Sequence, residues 1–233
     1  MLNENQELVN KLVQSCHILS MEGHNDITLG HVSARIPGSD YVLMKASGKG
    51  LWEVTADDVI VIDFDGKVIE GHQKCHIEYP IHTEILRLRD DINCVIHTHP
   101  FFGTIFSATG LTIKPVSNEG TIFLDIPLFT ETTELIQTPD QGIAIARKLG
   151  NHCALLLQNH GIVVAGRSIE EATVLAIRLE KAAKAQFFLE LLGSYQYTAP
   201  DECKRKIEQT YDQRQMQNYW DYYLRKLKVK KRG

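Results

Sequence analysis

Short runs of aliphatic and β-branched residues alternate with longer helical segments along most of this chain of 233 residues. The short runs predict strands at 31–36, 41–44, 59–63, 94–97 and 153–157. Apolar residues spaced by three and four predict helices at 4–21, 78–89, 138–149 and 168–192. Asp65-Gly66 is typical of a tight hairpin turn between neighbouring strands. Because such connections are local, we predict one α/β domain with three layers, α/β/α, around a mostly antiparallel central sheet.

The composition is that of an ordinary folded protein, with 43% hydrophobic and 23% charged residues. It excludes a disordered chain, a collagen-like repeat and a disulfide miniprotein. The net charge of −4 argues against a nucleic-acid partner. The five cysteines are scattered and odd in number, which is typical of reduced thiols in a cytoplasmic protein. The polar N-terminus and the lack of any apolar run near ~18 residues predict neither a secretory signal nor a membrane partner.

Two histidines at the end of the predicted strand 94–97 suggest a metal site. His97 and His99 are two residues apart, and residues at that spacing point to the same face of a strand. Both imidazoles can then reach one ion. The alternative is a pair of exposed polar residues at a strand end.

A third histidine follows the predicted buried strand 153–157. His160 lies at the mouth of that strand, and Gly161 lets the backbone turn sharply or approach a neighbour closely. Three histidines with an open fourth position are typical of a catalytic zinc site rather than a structural one. Alternatively, His160 is a hydrogen-bonded histidine at a strand edge.

Glu78 begins a predicted helix and is a candidate for moving a proton at that site. The helix dipole favours a carboxylate at this position, so the residue also fits as an ordinary helix N-terminus. His82 lies one turn further along the same helix face. We interpret His82 as a residue that supports the site and not as a metal ligand.

Five motifs together resemble the class II aldolase/adducin family, the family of fuculose-phosphate aldolase. They are Gly30-His31-Val32-Ser33-Ala34-Arg35, Ala46-Ser47-Gly48, the helix start from Glu78 to His82, Val95-Ile96-His97-Thr98-His99 and Leu157-Gln158-Asn159-His160-Gly161. The resemblance runs from about Glu7 to Leu192 and implies a class II aldolase-like catalytic domain over residues 1–195. It further implies a divalent metal, usually Zn²⁺, on His97, His99 and His160, with Glu78 as the acid/base. It also implies a homotetramer with active sites between subunits.

The phosphate cradle of the family's sugar-phosphate aldolases is only partly present. Gly30, Ser47 and Gly48 match it, whereas the asparagine usual after the first glycine is His31. Two serines usually precede the acid in the family, and this chain has His76 and Ile77 at those positions. The tyrosine expected within residues 115–119 is missing.

Lys45 adds a cation beside the second of these loops, and Arg35 is a further candidate. Imidazole and ammonium groups in place of hydroxyls suit a flatter, less charged anion, such as the carboxylate of an aromatic or keto acid. We therefore expect Gly30, His31, Lys45, Ser47, Gly48 and His76 to bind the substrate. The alternative for His31 and His76 is local hydrogen bonding within their loops.

The motif around His31, together with His76-Ile77-Glu78-Tyr79-Pro80-Ile81-His82, resembles a branch of decarboxylases acting on hydroxylated aromatic acids. We expect a metal-dependent carbon–carbon lyase, a decarboxylase of a hydroxylated aromatic or keto acid. Zn²⁺ is the expected ion, although three imidazoles also suit Mn²⁺, Co²⁺ or Fe²⁺. The alternatives are an aldolase or epimerase acting on a small hydroxycarbonyl or sugar phosphate, and a non-catalytic adducin-like binding module.

Residues 196–233 are predicted to form a C-terminal extension with aromatic and basic character. Residues 201–228 have helical spacing and carry Tyr211, Tyr219, Trp220, Tyr222 and Tyr223. This helix packs on its own subunit or caps the active-site mouth of a neighbour. We predict that the basic cluster of Lys228, Lys230, Lys231 and Arg232 is a frayed, solvated tail, or that it pairs with the acidic body of another subunit.

Overall fold

The computed structural model describes residues 1–231, which form seven α-helices and eight β-strands. The helices are α1 (Gln6–Met21), α2 (Tyr79–Leu88), α3 (Phe101–Ser107), α4 (Pro139–Leu149), α5 (Ile169–Leu192), α6 (Pro200–Thr210) and α7 (Gln213–Lys230). The strands are β1 (His31–Arg35), β2 (Tyr41–Lys45), β3 (Val59–Asp63), β4 (Val68–Glu70), β5 (Cys94–Thr98), β6 (Leu128–Phe129), β7 (Ala154–Leu157) and β8 (Gly161–Gly166). None of the helices in this range combines the length and the apolar character that a membrane crossing demands.

The strands form one sheet in the order β4-β3-β2-β1-β5-β8-β7-β6. Within the described chain, the neighbouring strands are antiparallel, apart from the parallel pair β6 and β7. This confirms the predicted α/β fold with a mostly antiparallel central sheet. The tight turn at Asp65-Gly66 joins β3 to β4 as predicted.

Helices cover both faces of the sheet and give it two apolar cores. On one face, α1, α3, α5 and α7 pack over strand residues such as Val32 and Ile96. On the other face, α2 and α4 cover residues such as Val95 and Val163. Since successive strand residues point to opposite faces, a strand buried on both sides is apolar throughout. This explains the continuous apolar runs of β5 and β7, which change to polar residues only at their ends.

Two elements near the strand ends were not predicted. Gly161–Gly166 forms β8, which pairs with both β5 and β7, whereas the sequence indicated only a turn after His160. The short helix α3 follows β5 almost directly. At the start of α5, the Ser168 side chain accepts a hydrogen bond from the Glu171 amide. The Glu171 carboxylate accepts from the Arg167 amide and not from the Ser168 amide.

The C-terminal segment contains two helices where one was predicted over 201–228. Tyr211 and Asp212 separate them, and Asp212 caps the second helix, α7. Trp220 and Tyr223 are buried in the same core as α1 and α5. The aromatic stripe therefore packs on its own chain, as one of the two interpretations predicted. Capping of a neighbouring subunit stays a prediction.

The basic residues at the end of α7 are not a frayed tail. Lys228 and Lys230 belong to the helix. The ammonium groups of Lys230 and Lys231 lie 5.1 and 6.0 Å from the centre of the Trp52 ring. Such cation–π contacts hold the end of the helix against the body. Arg232 lies outside the described residues.

Candidate metal and proton-transfer site

The three histidines predicted to bind a metal meet at one end of β5. His97 lies in β5, opposite His31 of β1 and Val163 of β8, and His99 follows the strand. His160 comes from the tight connection between β7 and β8. The ring centres are 4.8 Å apart for His97 and His99, 4.9 Å for His97 and His160, and 5.1 Å for His99 and His160. We call these three residues the converging histidines.

Gly161 allows the two chain segments to approach each other this closely. A Cβ atom at this position would lie 2.5 Å from Cδ2 of His99 and 2.6 Å from the carbonyl oxygen of Thr98. Asn159, two residues earlier, has a φ of 56°, a left-handed conformation that asparagine adopts more readily than most residues. The close backbone approach expected at Gly161 is therefore present. A side chain there would force His160 and His99 apart.

The hydrogen-bond partners of the converging histidines leave their free nitrogens facing one another. Nδ1 of His97 donates to the carbonyl oxygen of Ile162 at 2.9 Å, and Nδ1 of His99 donates to Oδ2 of Asp26 at 2.7 Å. A neutral imidazole that donates from Nδ1 carries its lone pair on Nε2, and the Nε2 atoms of His97 and His99 are only 3.1 Å apart. Two facing acceptors repel each other unless a cation lies between them. This donor set therefore fits a divalent metal.

His160 completes the same donor set. Its Nε2 is buried and has no hydrogen-bond partner among residues 1–231. One nitrogen from each converging histidine lies within 4.8 Å of the others. Burial lowers the pKa of His99, and it lowers that of His160 to about 4, so both rings are neutral near pH 7. Neutral imidazole is the form that binds metals.

Asp26 was missed by the sequence reasoning. It lies in the loop between α1 and β1, 73 residues before His99, and its carboxylate fixes the orientation of the His99 ring. A carboxylate behind a metal-ligating histidine is a common arrangement that also strengthens the ligand. The sequence signal available was only an aspartate in a chain break, which by itself favours a turn.

Glu78 lies between the converging histidines and a second histidine group. Its Oε2 is 3.6 Å from Nε2 of His97 and 3.7 Å from Nε2 of His31, and its Oε1 is 3.6 Å from Nε2 of His160. Oε1 also accepts a hydrogen bond from the amide of Ile136 at 3.0 Å. Burial by itself raises the pKa of Glu78, but hydrogen bonding toward His31 and His97 outweighs burial. The pKa is held well below its usual range, so the carboxylate is ionised.

The second group consists of His31, His76 and His82, which we call the packed histidines. The ring centres of His31 and His76 are 3.8 Å apart, and Nδ1 of His31 is 2.6 Å from Nε2 of His82. Nδ1 of His82 in turn lies 2.7 Å from Oγ of Ser33. Burial lowers the pKa of His31 strongly, that of His82 to about 3 and that of His76 to about 4. These neighbours place His82 behind His31 in the described chain, and not among the converging histidines.

Gly30, Ser47 and Gly48 shape the backbone around this group. Gly30 has a φ of 85°, and a Cβ there would lie 3.3 Å from Cγ2 of Thr98, so this loop runs close to β5. Ser47 and Gly48 form an exposed turn after β2, and the amide of Ser47 donates to the carbonyl oxygen of Lys74. That bond holds the turn beside the segment that leads to His76. Within the described chain, neither residue hydrogen-bonds to a histidine of the site.

The two candidate cations are engaged elsewhere. The buried ammonium of Lys45 donates to the carbonyl oxygens of Thr28 and Ala46 at 3.4 and 3.2 Å, and burial lowers its pKa. The Arg35 guanidinium donates to carbonyl oxygens at the end of α2 and lies 5.8 Å from the ring centre of Phe64. The expectation that Arg35 joins the anion pocket is therefore wrong, because this stacking turns it away.

A cavity of about 760 Å³ opens beside His99 and His160. Apolar side chains form much of its wall, namely those of Leu29, Phe101, Ile105 and Leu135. Its polar lining includes Asn25, Asp26, Thr104, Thr133, Glu134 and Asn159, and no lysine or arginine of the described chain lines it. The cavity thus offers room for an uncharged, largely apolar group next to the converging histidines.

Fold and site together define a protein of the class II aldolase type. The structure superposes on L-fuculose 1-phosphate aldolase from Glaciozyma antarctica PI12 with a TM-score of 0.87 at 21% identity, covering 98% of this chain and 92% of that chain. At that identity the similarity establishes the fold. Residues 10–187 match the family described as Class II Aldolase and Adducin N-terminal domain, and the chain belongs to this family.

Two curated relatives are lyases. The chain is 28% identical over 230 residues to 3,4-dihydroxyphthalate decarboxylase from Arthrobacter keyseri, and the aligned region covers 91% of each chain. It is 33% identical over 157 residues to decarboxylase NovR from Streptomyces niveus, which covers 66% of this chain and 56% of the relative.

Proposed function

We propose that this protein is a divalent-metal-dependent decarboxylase of a hydroxylated aromatic or keto acid. The observation that carries the proposal is the chemistry around Glu78, where neutral imidazoles replace the hydroxyls of a phosphate cradle. A dianionic phosphate calls for cations or several free donors. Here the Lys45 ammonium donates to backbone carbonyl groups, and the Arg35 guanidinium lies beside the Phe64 ring, away from Glu78. The names of the two decarboxylase relatives support the same reaction class.

His97, His99 and His160 would hold the metal, and their three nitrogen donors favour Zn²⁺. A bound divalent ion supplies Lewis-acid stabilisation of the negative charge that develops when a carbon–carbon bond breaks. The apolar cavity beside His99 would receive the ring of the substrate. His31 and His76, with the loop residues Gly30, Ser47 and Gly48, would orient the leaving carboxylate. The expected contact of Lys45 with the substrate is not part of this proposal, because its ammonium donates to the carbonyl oxygens of Thr28 and Ala46.

Glu78 is the residue we assign to proton transfer. As a buried, ionised carboxylate it can take the proton of a substrate hydroxyl. The bond to the carboxylate then breaks as CO₂ leaves, its electron pair remains on the ring carbon, and Glu78 returns the proton to that carbon. The substrate oxygen regains its proton from water, so protons and electrons balance without an oxidant.

The assembly and the compartment are part of the same proposal. We propose a cytoplasmic homotetramer, on the strength of the family resemblance and of five cysteines that are all unpaired in the structure. We propose no nucleic-acid partner, since the chain is acidic overall.

An aldolase or epimerase is the second candidate, favoured by the fold of the Glaciozyma antarctica enzyme and by the retained Gly30, Ser47 and Gly48. The test is an assay of the Zn²⁺-loaded protein against a panel of dihydroxybenzoates and against sugar phosphates. We expect CO₂ release from at least one hydroxylated aromatic acid. Aldehyde release from a sugar phosphate, without any CO₂ release, would overturn the proposal in favour of the aldolase.

The third candidate is an adducin-like binding module, and a module without catalytic activity does not require a complete set of metal-binding and proton-transfer residues. The converging histidines and Glu78 are all present and brought together, which argues for chemistry. Metal analysis separates this candidate from both enzymes, since purified protein without affinity for any divalent metal would exclude an enzyme of either kind.

A further inference from the structure

We infer that Ser33 and His82 are positioning residues, which complete a hydrogen-bond chain in which His31 presents an N–H to Glu78. The chain runs from Ser33 Oγ to His82 Nδ1 at 2.7 Å and from His82 Nε2 to His31 Nδ1 at 2.6 Å. Its last link is the 3.7 Å separation of His31 Nε2 from Glu78 Oε2. The importance of Glu78 for turnover rests on the proposed function, whereas the direction of the hydrogen-bond chain does not.

The last link decides the direction. Nε2 of His31 is buried, has no hydrogen-bond partner among residues 1–231, and faces the carboxylate of Glu78. An ionised carboxylate only accepts hydrogen bonds. A lone pair on this nitrogen would face a buried negative charge, whereas an N–H would donate to it. The proton of the neutral His31 ring is therefore on Nε2.

The other two links then follow from the chemistry of the rings. With its proton on Nε2, His31 has an acceptor at Nδ1, so His82 must donate from its own Nε2. His82 is then an acceptor at Nδ1, which requires the Ser33 hydroxyl to donate. Ser33 and His82 are both fully buried, so no solvent competes for these groups. The Ser33 hydroxyl thus supplies the donor that the His82 and His31 tautomers require at the far end of the hydrogen-bond chain.

The result is a carboxylate with a donor directed at each oxygen. The Ile136 amide donates to Oε1 of Glu78, and the chain aims an N–H of His31 at Oε2. Catalytic hydrogen bonds are often long before substrate binds and shorten in the complex, and 3.7 Å is such a distance. Held in this way, Glu78 keeps one orientation toward the reacting proton. In the described chain, Ser33 and His82 hydrogen-bond to none of the converging histidines and do not line the cavity.

The direct test is ¹⁵N NMR of histidine side chains in the full-length, Zn²⁺-loaded protein, with His31→Asn used to assign the signals. Ring ¹⁵N shifts distinguish a protonated nitrogen from one with a lone pair. We expect His31 and His82 both to carry their proton on Nε2 at pH 7. A proton on Nδ1 of His31, or a metal-shifted Nε2 of His31, would overturn the inference even if no substrate were known.

Kinetics provide the second readout. Ser33→Ala removes the donor that starts the chain, and we expect kcat to fall about tenfold with little change in KM or metal content. Ser33→Thr keeps the hydroxyl and should restore kcat, so it is the matched control. An unchanged kcat in Ser33→Ala, or an equal loss in both variants, would contradict the positioning role. Lack of any decarboxylase activity in the wild-type protein would instead refute the proposed function and leave the NMR result standing.

Discussion

Two groups of three histidines border one carboxylate in this protein, and they differ in what lies behind each ring. Behind the converging histidines His97 and His99 stand a carbonyl oxygen and a carboxylate, which can only accept, so both rings turn a lone pair inward. Behind the packed histidine His31 lies another imidazole, that of His82, which in turn hydrogen-bonds to the Ser33 hydroxyl. The inner ring nitrogen therefore carries a lone pair for a cation in one group and a proton for donation to an anion in the other. The hydrogen-bond partner of the outer ring nitrogen determines which of the two forms is present.

The largest expected effect concerns the carboxylate that the two groups share. Glu78→Gln keeps the shape of the side chain but removes its ability to take up a proton. We expect kcat to fall about 10³-fold, in the middle of the range for general acid–base catalysis, while metal content stays unchanged. Parallel measurements of CO₂ release and bound metal check this. Full activity in the glutamine variant would remove Glu78 from the reaction.

The next effect concerns the partner behind a converging histidine. Asp26→Asn leaves an amide that can turn its NH₂ toward His99 Nδ1 and favour the wrong tautomer. We expect metal affinity to fall about 10- to 100-fold, measured by competition with a chromophoric chelator. Asn25→Asp is a useful control, since Asn25 lines the same cavity but does not contact His99. Equal affinity in Asp26→Asn and wild type would show that the carboxylate does not orient the ring.

A smaller effect is a loss of folding stability in acid, which comes from buried histidines that are uncharged in the folded protein. The pKa values of His24 and His82 are lowered to about 3 by burial, against an ordinary value of 6.5. The unfolded chain therefore binds more protons below pH 6.5, so stability is complete above that pH and falls as the solution becomes more acidic. Each such residue contributes a slope of up to about 1.4 kcal/mol per pH unit.

Urea unfolding of the wild type and of His24→Asn at pH 7, 6 and 5 measures this slope. His24 accepts or donates only at Thr98 Oγ1 in the described chain, and its Nε2 has no partner there. We expect the variant to lose less stability between pH 6 and 5 than the wild type does. Parallel curves for the two proteins would mean that His24 takes up no proton on unfolding.

The converging histidines could be predicted from sequence because local rules bring them together. An i, i+2 pair at a strand end shares a face, and a buried strand carries His160 to its mouth. The glycine after it was correctly associated with close approach, although the strand β8 that begins there was not recognised. A glycine fits both a turn and a strand that another backbone approaches closely, and only the pairing of β8 with β5 and β7 distinguishes them.

The features that the sequence did not reveal depend on contacts between distant segments. Asp26 and His99 are 73 residues apart, and nothing local marks that aspartate as a partner of a histidine. Arg35 was a further candidate for the anion pocket, but its guanidinium donates to carbonyl oxygens at the end of α2 and lies near the Phe64 ring. The break between α6 and α7 was visible in principle, since Asp212 is a helix-capping residue type.

The metal content of two matched histidine variants tests the central claim most directly. His99→Asn and His31→Asn make the same chemical change, one in each group, and circular dichroism confirms that both fold. After loading with Zn²⁺ and desalting, we expect about one ion per chain in the wild type and in His31→Asn, and a large loss in His99→Asn. Loss of the ion from His31→Asn, or its retention in His99→Asn, would contradict the division of the site into a metal-binding group and a donor group.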